Sequence, residues 1–135
     1  MPAGYSGTPL VKKLGIKEGL KIMLVNKPPD YLKLLGELPP GVKQIKKGNP
    51  DLIHLFTKSR KELKSELSKF LKIMERDGMI WVSWPKKASK IETDITEDVI
   101  REVVLPLGLV DIKVCAVDDT WSGLKLVIRK ENRRK

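Results

Sequence analysis

Apolar and polar positions along the chain alternate between short dense runs and stretches of helical period. Leu20-Lys21-Ile22-Met23-Leu24-Val25 reads as a buried strand over residues 20–25, entered through Gly15-Ile16-Lys17-Glu18-Gly19. Residues 31–35 read as a short helix. Residues 42–46, between Pro39-Pro40-Gly41 and Gly48-Asn49-Pro50, read as a weak strand, and 51–56 as a third. The clearest helix follows. Ser59 and Glu62 have the S-x-x-E spacing of a capping box, and Leu63, Leu67, Phe70, Leu71 and Met74 make one apolar stripe. Gly78 stands where a left-handed cap would end it. Residues 79–84 form a fourth strand closed by Pro85. Asp94 and Glu97 make a second capping pair, ahead of the stripe Ile95, Val99, Ile100, Val103 and Val104, which Pro106 stops. The last two strands are 109–117 and 123–129. Their connection, 118–123, is short enough for an antiparallel hairpin.

Strand–helix alternation of this kind implies right-handed crossovers and helices on both faces of a sheet. The expected fold is therefore α/β: a single three-layer Rossmann-like domain with a mainly parallel six-stranded sheet ending in an antiparallel hairpin. No repeat or low-complexity linker marks a second domain. Residues 1–135 read as one unit, with 130–135 a frayed basic tail.

An antiparallel hairpin closing such a sheet resembles class I methyltransferase-like folds. Leu14 to Ile22 looks like the approach to that fold's first strand, and Asp51 to Phe56 and Gly78 to Val82 resemble two later ones. The chain also resembles, nearly end to end, a family of small prokaryotic proteins catalogued only as a domain of unknown function. The strings that carry this are Gly4-Tyr5-Ser6-Gly7-Thr8-Pro9-Leu10, Trp81-Val82-Ser83-Trp84-Pro85-Lys86-Lys87-Ala88-Ser89 and Val117-Asp118-Asp119-Thr120-Trp121-Ser122-Gly123-Leu124-Lys125. That resemblance implies a fold and no established activity. A tyrosine in the first string leads to the expectation that residues 1–9 fold over the domain or onto a partner.

Composition adds a bias toward anions. Lys and Arg number 27 against 17 Asp and Glu, a net charge of +10, enough for a positive field that attracts phosphates. The cations are spread along the chain, and abundant Lys, Glu and Ile with one Cys also resembles hyperthermophile surfaces. The single cysteine, Cys115, excludes an internal disulfide framework and fits a reducing compartment. No apolar run approaches the ~18 residues of a membrane span, and no basic-then-apolar leader opens the chain. A cytoplasmic protein without membrane contact is expected.

The candidate chemistry lies where open parallel sheets bind ligands, outside the carboxyl ends of the strands. The first strand delivers Asn26 to that edge, the fourth Lys86, Lys87 and Ser89, and the hairpin Asp118, Asp119 and Trp121. Cations, carboxylates, a hydroxyl and an aromatic face suit an anionic, ring-bearing ligand. Asp119, Trp121 and Lys86 are expected to converge on one concavity. Each residue also has a plainer reading: Asp118-Asp119 as turn formers, Trp121 as a cap on the sheet edge, Lys86-Lys87 as a solvated pair.

Several chemistries are disfavoured. One His and one Cys cannot make a metal site, and His54, inside a strand, reads as a packed or hydrogen-bonded core residue. No metal or cofactor is expected. Binding of S-adenosylmethionine in the usual way is opposed by Asn26-Lys27-Pro28-Pro29-Asp30-Tyr31, which has no glycine and two prolines where backbone donors are needed. It is opposed again by Lys46-Lys47, where an acidic residue would take the ribose hydroxyls. The preferred expectation is a cofactor-degenerate methyltransferase-like domain that binds an anionic small molecule or a partner macromolecule. The alternatives are a transferase with an atypical cofactor site, using Asp118 or Asp119 as base, and an RNA- or DNA-binding accessory protein.

Overall fold

Five consecutive buried residues, Leu52–Phe56, mark the strand that is covered on both faces, as a central strand of a parallel sheet must be. In the computed structural model, which describes residues 9–133, this strand is β3 and lies near the middle of a six-stranded sheet of order β2-β1-β3-β4-β6-β5. The strands are β1 Lys21–Val25, β2 Lys43–Gln44, β3 Leu52–Phe56, β4 Met79–Pro85, β5 Leu109–Ala116 and β6 Trp121–Ile128. The pairs β1–β2, β1–β3 and β3–β4 are parallel, while β4–β6 and β5–β6 are antiparallel. The expected architecture is thus the observed one. Residues 1–8, on which the expectation of a folded-over N-terminal segment rests, lie outside the described residues.

Helices α1 Leu10–Leu14, α2 Tyr31–Leu35, α3 Arg60–Ile73 and α4 Glu97–Val104 complete the layers. α3 and α4 bury Leu63, Leu67, Phe70, Ile100 and Val104 against Ile53, Leu55, Ile80 and Val82. On the other face, α1 and α2 bury Leu10, Leu14, Tyr31 and Leu35 against Ile22, Leu52, Phe56 and Trp81. Trp81 and Trp84, three apart in β4, point to opposite faces, and both are buried. No helix among the described residues is long and apolar enough to cross a membrane.

The differences from expectation are local. β2 shrinks to two exposed residues. α1 was not anticipated: one helical turn offers too few positions to display a period. It ends at Gly15, whose φ of 78° closes the turn as Ile16 N–H donates to the Val11 carbonyl. Gly78 does not cap α3, which ends four residues earlier at Met74. Its role is close approach: a Cβ there would sit 2.8 Å from the Asp51 carbonyl oxygen.

Of the two capping pairs read from the sequence, half of the first forms and neither half of the second. Ser59 Oγ accepts from Glu62 N–H, but the Glu62 carboxylate accepts from the Thr57 hydroxyl rather than from the Ser59 backbone. Thr96, not Asp94, caps α4 by accepting from Val99 N–H. Asp94 instead accepts from Arg60 N–H at 2.7 Å, at the start of α3, because the loop before α4 folds back over that helix end. The hairpin connection is the four residues 117–120, so Trp121 belongs to β6 and pairs with Pro85 rather than sitting in the turn. Near the C-terminal end of the described residues, Lys130–Asn132 makes a 3₁₀ turn, and Arg133 Nε donates to the Ile128 carbonyl at 2.7 Å.

Candidate functional site

From β1 the chain crosses to β2 on one side, then returns to place β3 on the other. The carboxyl ends of β1 and β3 therefore diverge at a topological switch point, where such sheets open a crevice. A cavity of about 540 Å³ lies there, lined by Asn26, Phe56, Thr57, Lys58, Ser59, Glu62 and Trp121.

The floor of the crevice is aromatic and fixed from below. Trp121 meets Phe56 edge to face, with centroids 5.1 Å apart, and Phe56 stacks on His54 at 4.3 Å. Tyr31 packs edge-on against both His54 and Phe56. The Tyr31 hydroxyl lies 2.7 Å from His54 Nδ1, and Ser83 Oγ lies 2.7 Å from His54 Nε2. Either neutral tautomer satisfies both hydroxyls, since each can donate or accept. Burial, with no carboxylate nearby, lowers the His54 pKa from 6.5 to about 3 and pushes the Tyr31 phenol upward. This buried network ties α2 to β3 and β4, and so holds the β1–α2 turn beside the crevice.

That turn is made by Asn26, whose φ of 60° is left-handed and whose Nδ2 donates to the Phe56 carbonyl at 3.2 Å. Asparagine tolerates this conformation because its short polar side chain finds a local partner. The turn continues through Pro28 and Pro29 into α2, a single helical turn with no side-chain cap. On the other wall, two N–H groups at the start of α3 are already taken by Ser59 Oγ and Asp94 Oδ1.

A second cavity of about 560 Å³ adjoins the first along the same edge, lined among others by Trp84, Lys86, Lys87, Lys90, Ile95 and Thr96. Lys86 N–H donates to the Thr120 carbonyl at 2.8 Å, which joins the two rims. Asn26 and Trp121 thus share the switch-point crevice, whereas Lys86 and Lys87 line its neighbour. Lys86 and Trp121 do not meet in one concavity as expected, because Trp121 is drawn into β6 and turned onto Phe56. Ser89 donates to the Lys86 carbonyl and accepts from Ile91 N–H, shaping the loop. Asp118 Oδ1 accepts from the N–H groups of Thr120 and Trp121, each at 2.8 Å, closing the hairpin, and Asp119 is exposed beside it.

Phe56, Thr57, Lys58, Ser59 and Glu62 also line the crevice, and none of them is among the residues that the strand ends of the sequence point to. The available signal was Thr57-Lys58-Ser59 itself, a polar turn between a fully buried strand and the longest helix. Of these three, only Ser59 carries a reading from the sequence, as the cap of that helix. Five lysines, Lys27, Lys58, Lys86, Lys87 and Lys90, follow β1, β3 and β4 and are in no ion pair among the described residues, beside the carboxylates of Glu62 in the first cavity and Glu92 and Glu97 in the second. No group of three His, Cys, Asp or Glu that could hold a metal is present among the described residues.

No protein-family model matches the chain, and no curated protein sequence matches it. Solved structures do. A Sulfolobus solfataricus protein put forward as a type 11 methyltransferase superposes with a TM-score of 0.64 at 14% identity, covering 93% of each chain. A SAM-dependent methyltransferase from Aquifex aeolicus gives 0.57 at 16% identity, covering 88% of each. TrmN from Thermus thermophilus gives 0.56 at 11% identity over 88% of this chain, which spans about half, 47%, of TrmN. The chain has the Rossmann-like fold of class I methyltransferases, at identities that speak to fold alone.

Proposed function

We propose that the domain is a binding module working in the reducing cytoplasm, which takes an anionic, ring-bearing ligand of the nucleotide class at the carboxyl edge of its sheet. The observation that carries this reading is the pairing of an aromatic floor, Trp121 on Phe56, with lysines that lack carboxylate partners on the surrounding rim. A planar ring gains dispersion and quadrupole contacts on such a floor, and phosphate oxygens find donors on the rim.

S-adenosylmethionine, the methyl donor of structurally similar enzymes, fits these residues poorly. Its methionine portion needs open backbone N–H groups after β1. Here Pro28 and Pro29 supply none, and the side-chain amide of Asn26 is engaged with the Phe56 carbonyl. Beyond β2 the chain offers exposed Lys46 and Lys47 where a carboxylate would take ribose hydroxyls. The transferase reading loses support at Asp118, whose Oδ1 already accepts two backbone hydrogens.

Isothermal calorimetry separates these readings. ATP is expected to bind with Kd below about 0.1 mM, near −5.5 kcal/mol, and S-adenosylmethionine no tighter than about 1 mM. Trp121→Ala should weaken ATP about tenfold, the lower range of base-stacking contributions. It should also cost about 2 kcal/mol of stability, below the ~3–5 of a fully buried tryptophan, because Trp121 is only half-buried. Micromolar S-adenosylmethionine binding with no ATP binding would reverse the assignment and favour the transferase.

A further inference from the structure

What sets the α1 face of the sheet apart is lysines placed against one another. On the α3–α4 face several cations are paired, Arg60 with Glu102, Lys69 with Glu66, and Arg101 with Glu97, Asp98 and Asp111, while Lys61, Lys64 and Lys72 stand apart along α3 without an ion pair among the described residues. On the α1 face, Lys17, Lys113 and Lys125 form no ion pair among the described residues. Lys113 and Lys125 are direct cross-strand partners on β5 and β6. Like charges so placed are destabilising, and a third lysine compounds it: burial first, then Lys113 and Lys17, lowers the Lys125 pKa.

These cations form a line. Lys13 Nζ donates to the carbonyl of Ala116 at 3.0 Å, at the carboxyl end of β5, a few residues from Trp121. Lys125 lies further down, opposite Trp81 of β4. α1 descends from Lys13 to Gly15, which rests against Met79 at the start of β4, and Lys17 follows. The row runs from the crevice rim down the face of the sheet.

We infer that this row is the path of a single-stranded nucleic acid, one base of which stacks on Trp121 while successive phosphates follow Lys113, Lys125 and Lys17. The inference rests on the crevice reading above and extends its ligand from one nucleotide to a strand. A positive groove leading from an aromatic platform is how proteins hold single strands without reading sequence. A membrane surface fits less well, since it calls for a broad plane with apolar insertion. Two exposed apolar residues, Ile112 and Val114, flank Lys113 on β5; Val114 alternates with it and so points to the opposite face, and Ile112 falls at the register shift of the strand.

The test compares fluorescein-labelled (dT)12, by anisotropy, with ATP, by calorimetry. The proteins are the wild type, Lys17→Gln/Lys113→Gln, and Lys64→Gln/Lys72→Gln on α3. The substituted lysines are all exposed, and removing the Lys113–Lys125 repulsion should leave the melting temperature of the first variant equal or higher. The wild type should hold (dT)12 at least about tenfold tighter than ATP, since each added phosphate contact releases counterions. The α1-face variant should lose about tenfold for (dT)12 at 50 mM salt and flatten its log–log salt slope by about 1.4, two single-strand phosphates. ATP affinity should not change. Equal losses from both variants, or (dT)12 bound no tighter than ATP, would overturn the path while leaving the crevice reading intact. Absence of ATP binding would overturn the crevice reading, and with it the path.

Discussion

Trp81→Ala is expected to lower the melting temperature by about 12 °C or more. Trp81 is fully buried, its Nε1–H donates to the Leu14 carbonyl at 2.8 Å, and its ring lies over Gly123, where a Cβ would come within 3.3 Å. Truncation leaves a large cavity between α1 and the sheet, at about 4 kcal/mol, and each kcal/mol is worth about 3–5 °C in a domain of this size. Trp81→Phe keeps most of the packing but leaves the Leu14 carbonyl without its donor, at about 1 kcal/mol. Hydrogen exchange should show the loss first in residues 10–16, since Trp81 is what α1 rests on. A melting temperature within about 3 °C of wild type would mean that α1 is not held by this contact.

Acid should destabilise the domain through His54. Its pKa falls from 6.5 to about 3 on folding, so between those values the unfolded chain binds the extra proton. Stability from this group is complete above pH 6.5 and is lost as pH falls toward about 3, at about 1.4 kcal/mol per pH unit. Near pH 5 the loss is about 2 kcal/mol. Tyr31 acts at the other extreme: its raised pKa keeps the phenol protonated in the fold, so stability falls as pH rises past 10, where the unfolded phenol ionises. Denaturant melts from pH 4.5 to 8 check the first limb. His54→Gln, which keeps polar atoms near Tyr31 and Ser83 but cannot titrate, should be less stable at pH 7 and show a flatter profile in acid. An identical slope in wild type and variant would remove His54 as the cause.

The fold was legible because its main elements announce themselves locally. Leu52–Phe56 reads as a strand buried on both faces, and the stripe from Leu63 to Phe70 as a helix against it. The short connection after β5 leaves little choice but a hairpin. What stayed hidden depends on contacts distant in sequence. α1 is too short to show a period, yet Trp81, 67 residues away, holds it. The bond from Arg60 N–H to Asp94 spans 34 residues, so local spacing could not show which helix Asp94 caps. Strand ends alone point to Asn26 and Trp121, and both line the switch-point crevice. Lys86 was placed on the right edge but one cavity away, since side-chain direction at the end of β4 follows from pairing with Trp121. Thr57-Lys58-Ser59 was missed because the strand order, and therefore the switch point beside β3, is a property of the assembled sheet.

The most direct test of the crevice reading is to ask which tryptophan senses the ligand. The chain has three, with Trp81 and Trp84 buried in opposite core layers and Trp121 half-exposed over the crevice. In a ¹H–¹⁵N spectrum with each indole signal assigned by substitution, titration with ATP should move the Trp121 indole resonance progressively and leave that of Trp81 in place. Titration with S-adenosylmethionine to about 1 mM should move neither Trp121 nor the backbone signals of residues 26–31 by more than a small fraction of the ATP effect. Saturable shifts at 26–31 with S-adenosylmethionine, and none at Trp121 with ATP, would contradict the account.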